Sequence, residues 1–263
     1  MREPPHTVLE RNVLEQPDSA ALIFADVRLS FAAFLERVNG AAAWLVQSGI
    51  RAGEVVGICI RDDVDHLVYA MALLCLGSPQ IGLGAHEVGA TKRLLAKRVG
   101  VTRILAESIE EWMSGFGPLV LPPSKVAPPR SAGAIFSSCR PDAVAVYSNT
   151  SGTTSVLKTF PVTFERLGRT IERYRADPKE RRSLRLGSSE FDANRLNRLC
   201  TLLAGNVCIG LKQNSLGPLI SLCEAEQVSA LRIGPHRLES LLRNPHEDRR
   251  LPDCTHILAS GSR

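Results

Sequence analysis

Aromatic residues are scarce in this sequence, and long apolar runs are missing from it. Only 5% of the 263 residues are Phe, Trp or Tyr, although 44% are hydrophobic. The core must therefore consist mainly of Ala, Leu, Val and Ile, which suits helices packed on sheets. No run of about 18 apolar residues occurs, and the first residues, MREPPHTVLERN, contain no apolar signal core. We therefore expect a soluble, cytoplasmic protein without a membrane span.

The cysteines and histidines lack the spacings that bind zinc. The seven cysteines are odd in number, stand mostly in apolar runs, and form no CxxC pair and no His-spaced partner. We expect reduced core residues, and neither disulfides nor metal-ligating side chains. The residues concerned are Cys59, Cys75, Cys139, Cys200, Cys208, Cys223 and Cys254.

The positive charge is not concentrated enough to indicate a nucleic-acid partner. The net charge is +5 and the pI is near 8.9, and clustered Lys and Arg would attract phosphates. The densest basic stretch, residues 166–185, is interrupted by acidic residues and carries no aromatic base-stacking pattern. We interpret it as a solvated helix and loop, with a phosphate or nucleic-acid surface as the alternative.

Strand and helix patterns alternate along the chain. Apolar runs at residues 21–24 and 27–31 predict a hairpin. Apolar spacing predicts helices over residues 34–45, 66–76, 92–98, 164–174, 196–204, 219–225 and 238–242. Runs rich in β-branched residues predict strands over residues 54–60, 78–83, 101–105, 143–147, 207–211, 228–233 and 256–259. This alternation indicates an α/β fold with layered, mostly parallel sheets flanked by helices.

Residues 114–141 are rich in Pro, Gly and Ser and include PLVLPPSKVAPPRSAG. This composition predicts a surface connection. We therefore divide the chain into a first α/β lobe at residues 1–113, the connection at 114–141, and a second α/β lobe at 142–263.

Residues 147–163, YSNTSGTTSVLKTFPVT, follow a predicted strand and precede a predicted helix, where ligands bind in open α/β sheets. Exposed amides in such a turn bind anions, so this short loop can wrap a phosphate chain, and Lys158 adds a positive charge. The hydroxyl and backbone donors come from Thr150, Ser151, Gly152, Thr153 and Thr154.

Two other interpretations of this loop stay open. Ser and Thr clusters also make ordinary turns that bind nothing. Gly152 and Lys158-Thr159 are spaced as in the P-loop pattern GxxxxGK[ST], but Leu157 occupies the second glycine position, where a side chain blocks the approach of the backbone to phosphate.

The same residues resemble the phosphate-binding signature of the adenylate-forming superfamily, which includes acyl-CoA synthetases, luciferases and peptide-synthetase adenylation domains. Its pattern is roughly YTSGTTGxPKG followed by Thr or Ser. Residues 150–154 match it one by one, Lys158 stands at the signature lysine, and Thr163 stands at the later hydroxyl. Further segments, among them ALIFADVRLSFAAFLERVNG and LLAGNVCIGL, are similar to other parts of the family, and the likeness covers about residues 17–263.

The resemblance implies the fold of the amino-terminal domain of acyl-CoA synthetase-like enzymes. It also implies ATP-dependent activation of a carboxylic acid to an acyl-adenylate, and then transfer to a CoA or carrier-protein thiol. The implied cofactors are ATP or AMP and Mg. Residues 150–154 would cradle the β and γ phosphates, and Lys158 would offset their charge.

The chain departs from the family pattern at several positions. Ser155, Leu157 and Thr159 replace the usual Gly, Pro and Gly, Phe164 stands where the family often has His, and residues 190–192 lack the His of an aromatic-His element. The Tyr-Gly-x-Thr-Glu element, the ribose-binding Asp and the domain with the catalytic Lys are not among the 263 residues. We therefore expect a truncated second lobe, no catalytic residue here, and no turnover by these residues alone. A complementing chain or oligomer could supply the rest, and a noncatalytic nucleotide-binding or protein-interaction domain is the alternative function.

Overall fold

The computed structural model describes residues 3–24, 27–84, 87–122, 136, 139–150, 158–211, 216–235, 238–239 and 256–259. Over these residues the chain forms two six-stranded sheets that are flanked by helices. The α/β fold with mostly parallel sheets, predicted from the sequence, is therefore confirmed.

The first sheet has the strand order β12-β11-β9-β10-β1-β2. All of its neighbouring strands are parallel except β1 and β2, which form the predicted antiparallel hairpin. Its strands are β1 (Ala20–Phe24), β2 (Val27–Ser30), β9 (Arg182–Leu186), β10 (Val207–Leu211), β11 (Ala230–Ile233) and β12 (His256–Ala259).

The second sheet has the strand order β6-β5-β3-β4-β7-β8. It is parallel except for its last pair, in which β8 runs antiparallel to β7. Its strands are β3 (Val56–Cys59), β4 (Gln80–Gly82), β5 (Arg103–Ala106), β6 (Gly117–Val120), β7 (Val144–Thr150) and β8 (Lys158–Thr163).

Seven helices cover these sheets over the described residues. They are α1 (Pro5–Glu15), α2 (Phe31–Gln47), α3 (Asp63–Leu76), α4 (Gly89–Val99), α5 (Phe164–Ala176), α6 (Asp192–Leu203) and α7 (Leu216–Ala225). None of the helices in this part of the chain has the length and apolar character that a bilayer-spanning segment needs.

The helices lie in three layers, one between the two sheets and one on the outer face of each sheet. Side chains along a strand alternate between the two faces of its sheet, so both faces need a cover. Leu22 and Phe24 join a central core that also takes in side chains of α1, α2, α3, α5 and α6, whereas Ile23 joins a separate core beneath α7. In the second sheet, Leu105 faces the central core and Ile104 faces the core beneath α4. The architecture is therefore α/β/α/β/α, with the largest core between the two sheets.

Helix α3 lies in the centre of this arrangement and contacts α1, α2 and α6, together with β1 of one sheet and β4 of the other. The Asp62 carboxylate accepts from the amides of Val64 and Asp65 at its start, and Gly77 ends it in the left-handed conformation, with φ of 69°. Every residue of the helix except Asp65 is buried. This burial explains why its sequence is apolar on all faces.

Both sheets take strands from both sides of the predicted connection at residues 114–141. Strand β1 pairs with β10, and β4 pairs with β7. Residues 123–135 of the connection lie outside the described residues, and the division into lobes at 1–113 and 142–263 stays a prediction.

The interpretation of residues 166–185 as a solvated helix and loop is wrong for its last part. Strand β9 lies inside the first sheet, and Ser183, Leu184 and Arg185 are buried. The Arg185 guanidinium lies 3.8 Å from the buried Glu180 carboxylate and donates to the Tyr174 hydroxyl at 3.0 Å. These partners compensate the buried charge, which the local sequence does not reveal.

The prediction that the cysteines are core residues is confirmed for most of those that the structure describes. The structure describes six of them as reduced thiols, and all of these except Cys139 are buried. Cys254 lies outside the described residues.

Candidate functional site

The candidate phosphate loop connects two antiparallel strands. Thr150, the last residue of β7, pairs with Lys158, the first residue of β8, and Asn149 pairs with Thr159. The residues between them form the connection 151–157. Its Ser151, Gly152, Thr153 and Thr154, and the side chain of Thr150, lie outside the described residues, so their part in phosphate binding stays a prediction.

The position of this loop differs from the predicted one in one respect. The sequence predicted that the loop leads directly into the helix at residue 164, but the whole of β8 lies between them. Residues 151–157 therefore connect the two strands of a β-hairpin, β7 and β8, and β8 forms the edge of the second sheet. The β7–β8 pairing brings its two ends to one place.

Lys158 is exposed at the loop end of this hairpin. Two residues further along β8, the Phe160 ring lies 5.9 Å below the guanidinium of Arg166, which is itself exposed on α5. Both cationic side chains are exposed, and positive charge near the hairpin suits an anionic ligand.

Thr163 and Phe164 have structural contacts in this fold. The Thr163 hydroxyl accepts from the Arg166 amide at 3.3 Å and caps α5. From the rise of a β-strand, this hydroxyl is about 16 Å from the loop end of β8. The Phe164 side chain is buried in the central core. The similarity of Thr163 to the later hydroxyl of the signature therefore corresponds, in this structure, to a helix cap.

The loop end of β7 is fixed by two side chains from elsewhere in the chain. The backbone N–H of Asn149 donates to Asp192 Oδ2 at 2.6 Å. The Thr159 hydroxyl donates to the side-chain oxygen of Asn149, Oδ1, at 2.8 Å. Arg195, one turn further along α6 and fully buried, donates to Asp192 Oδ1 at 2.5 Å. Sequence reasoning missed this group, because Asp192 is 43 residues from its partner on β7.

A second buried charge anchors α6 to α3 and β9. Arg198 donates to Asp63 at 3.2 Å, to Ser189 Oγ at 2.6 Å and to the carbonyls of Arg185 and Gly187. Burial lowers the pKa of Arg198 from its usual value. Because α6 also carries Asp192, this anchoring sets the position of the carboxylate that holds β7.

His66 lies in the same interior, on α3. Its Nδ1 is 2.9 Å from the Ile60 carbonyl, and burial lowers the pKa of the imidazole to about 3. The ring is therefore neutral at physiological pH and is not a cation for a phosphate.

The described residues contain no group of three or more His, Cys, Asp or Glu side chains that could hold a metal ion. The described donors at the hairpin are cationic side chains. The sequence of the loop adds hydroxyls and backbone amides. Such donors fit the phosphates of a nucleotide.

A family model described as "AMP-binding enzyme" matches residues 9–263. The chain is 26% identical over 261 residues to phosphinothricin tripeptide synthetase PhsC of Streptomyces viridochromogenes, a match that covers 90% of this chain and 23% of that protein. It is 31% identical over 159 residues to malpinin synthetase of Mortierella alpina, covering 57% of this chain and 2% of that protein. The chain thus spans less than a quarter of these two synthetases.

The fold is also that of solved adenylate-forming enzymes. The structure matches O-succinylbenzoate coenzyme A synthetase (MenE) from Bacillus subtilis, in complex with AMP, with a TM-score of 0.83 and 17% identity. This match covers 97% of the present chain and 67% of the synthetase.

Proposed function

Because the chain belongs to the AMP-binding enzyme family, we propose that it binds an adenine nucleotide through the loop between β7 and β8 and forms part of an adenylate-forming enzyme. The observation that carries this proposal is the pairing of Thr150 with Lys158. It supports a loop with the Thr-Ser-Gly-Thr-Thr sequence held at the tip of a hairpin, with an exposed lysine at its base.

In the proposed reaction, an oxygen of a carboxylate substrate attacks the α-phosphorus of ATP and pyrophosphate leaves. The thiol of CoA or of a carrier protein then attacks the acyl carbon, and AMP leaves. Amides and hydroxyls of residues 150–154 hold the β and γ phosphates, and the Lys158 ammonium offsets the charge of the leaving pyrophosphate. Bound Mg²⁺ supplies further neutralisation of phosphate charge. A cytoplasmic location belongs to the same proposal, because ATP is the proposed substrate.

We propose that these 263 residues bind nucleotide but do not complete the reaction by themselves. They contain no Tyr-Gly-x-Thr-Glu sequence, and in-line attack at the α-phosphorus needs groups on both sides of the nucleotide. A complementing chain that carries the remaining groups would be needed for turnover by these residues.

The test is pyrophosphate exchange over a panel of carboxylic acids, run beside calorimetric titration with ATP and AMP. We expect binding of at least one nucleotide and no exchange. Robust exchange would overturn the claim that these residues are insufficient, and the absence of binding by either nucleotide would overturn the claim of a nucleotide site.

A noncatalytic domain derived from this family is the second candidate. It is favoured by Thr159, which occupies a usual glycine position and whose hydroxyl is bound to Asn149. Ser155 and Leu157 add further side chains to a loop that must approach phosphate closely. A domain that binds nucleotide but gives no exchange, even when a complementing carboxy-terminal half of a relative is added, would be noncatalytic. A domain that binds neither nucleotide would have an interaction role.

A further inference from the structure

Strand β7 extends beyond the strand that supports it. The register between β4 and β7 ends where Ile81 pairs with Tyr147, whereas β7 continues to Thr150 on its β8 side. The loop end of β7 thus has a sheet partner on one edge, and β4 ends at Gly82 on the other. A strand end with one partner is less constrained than a strand inside a sheet.

Asp192 provides an acceptor on this second edge. Its Oδ2 accepts from the Asn149 amide at 2.6 Å, directly before the first residue of the phosphate loop. A hydrogen bond to an ionised carboxylate is stronger than one to a carbonyl. Asn149 is therefore held from two sides, with its amide on Asp192 and its side chain on Thr159.

Arg195 determines where this carboxylate lies. The guanidinium is fully buried and binds Asp192 Oδ1 at 2.5 Å. It occupies the space beside Gly82, where an added Cβ would clash with the guanidinium and approach Asp192 Oδ1 to 2.9 Å. Because Gly82 has no side chain, the end of β4 leaves room for the Asp192–Arg195 ion pair beside β7.

We propose that Asp192, oriented by Arg195, is a positioning residue that fixes the loop end of β7 and thereby the phosphate loop. This inference rests on the proposed nucleotide-binding function of that loop, and it adds a residue outside the signature that contacts the strand directly before the loop. Preorganised amides bind an anion without reordering, so a fixed strand end raises the affinity for phosphate.

The test compares two double variants, Asp192→Asn/Arg195→Met and Asp192→Leu/Arg195→Met. Both remove the buried charges together, so neither leaves one uncompensated. They differ at residue 192 in whether an oxygen can accept from the Asn149 amide, while the two side chains are similar in size. Asn197→Ala serves as a control on another face of α6, where it removes the acceptor of the Tyr174 hydroxyl, 2.7 Å away.

Two readouts are measured, namely hydrogen–deuterium exchange of the amides at residues 148–150 and the affinity for Mg·ATP. We expect the Leu variant to exchange at least about tenfold faster than the Asn variant and to bind Mg·ATP about tenfold more weakly, whereas Asn197→Ala resembles the wild type in both. Equal exchange in the two double variants would overturn the inference. If the two double variants differ in hydrogen–deuterium exchange but bind Mg·ATP with equal affinity, the inferred link between Asp192 and the phosphate loop is overturned.

This design separates the two proposals. If the wild type binds no Mg·ATP, the proposed function fails, and the inferred link from Asp192 to a phosphate loop fails with it. The exchange comparison still decides whether Asp192 fixes the end of β7. If the wild type binds Mg·ATP, a failure of the exchange comparison removes the positioning role alone.

Discussion

The buried guanidinium of Arg198 donates to the carboxylate of Asp63 at 3.2 Å, joining α6 to α3 between the two sheets. The same carboxylate accepts from the Ser189 amide, so the segment after β9 is held at this point too. Removing one partner of a buried ion pair lowers the free energy of unfolding more than breaking an exposed ion pair does. The reason is that the remaining charge stays buried without compensation.

We expect Arg198→Met to lower the free energy of unfolding by about 3 kcal/mol or more, because it leaves Asp63 without its cation. Urea unfolding followed by circular dichroism measures this change. The control, Arg169→Ala, removes an exposed pair with Glu165, 3.5 Å apart, and should change stability by no more than about 0.5 kcal/mol. Similar losses in the two variants would contradict the structural role of Arg198.

His66 makes stability depend on pH. Burial lowers its pKa from 6.5 to about 3 in the folded state, so between these values the unfolded state binds a proton that the folded state does not. Stability should therefore fall as the pH is lowered from 6.5 towards 4, with a contribution from this residue of up to about 1.4 kcal/mol per pH unit.

Unfolding of His66→Asn at several pH values tests this dependence. The variant should show a smaller loss than the wild type between pH 6.5 and pH 4. His256→Asn changes an exposed histidine and should retain the wild-type dependence. The prediction fails if His66→Asn retains the wild-type slope.

Gly210 leaves room for the Phe24 ring, over which the Arg198 guanidinium lies at 4.7 Å. A Cβ at Gly210 would clash with this ring, so Gly210→Ala should lower the free energy of unfolding by about 1–3 kcal/mol. Gly234→Ala is the matched control, because no heavy atom of the described residues lies within 4 Å of the Cβ that would be added there. Thermal unfolding of both variants measures this difference. Equal stability of Gly210→Ala and Gly234→Ala would argue against close packing at Gly210.

The buried cysteines should resist alkylation. Burial raises the pKa of Cys200 to about 12 and that of Cys208 to about 11, and the thiolate is the reactive form. Mass spectrometry after iodoacetamide treatment at pH 8 should find both residues unlabelled in the folded protein and labelled in urea. Labelling of either thiol without denaturant would mean that the central core opens readily.

Much of the fold could be predicted because local patterns and tertiary packing agree. Residues 66–76 are apolar and end at Gly77, and they form most of α3. The β1–β2 hairpin likewise follows from two short apolar runs separated by two residues. In α3 and in β1 the apolar residues that define the element are also buried, whereas the residues of β2 are exposed or half-buried.

The missed strands have two different causes. Both β6 and β8 contain a proline, Pro118 and Pro161, and both lie at an edge of the second sheet, where a missing backbone donor is tolerated. Strand β9 was missed because the charge of its buried Arg185 is compensated by Glu180 and Tyr174, which the local sequence does not reveal. The same limit applies to the candidate site, since a signature reveals the loop and Lys158 but not the contact between Asp192 and Asn149.

The most direct test of this account is calorimetric titration of Mg·ATP into the wild type, Lys158→Ala and Lys97→Ala. Both lysines are exposed, but only Lys158 lies at the loop end of the β7–β8 hairpin, whereas Lys97 lies on α4. The account predicts that the wild type and Lys97→Ala bind with equal affinity and that Lys158→Ala binds at least about tenfold more weakly, a loss of about 1.4 kcal/mol. Equal affinity in all three proteins, or no binding by the wild type, would contradict it.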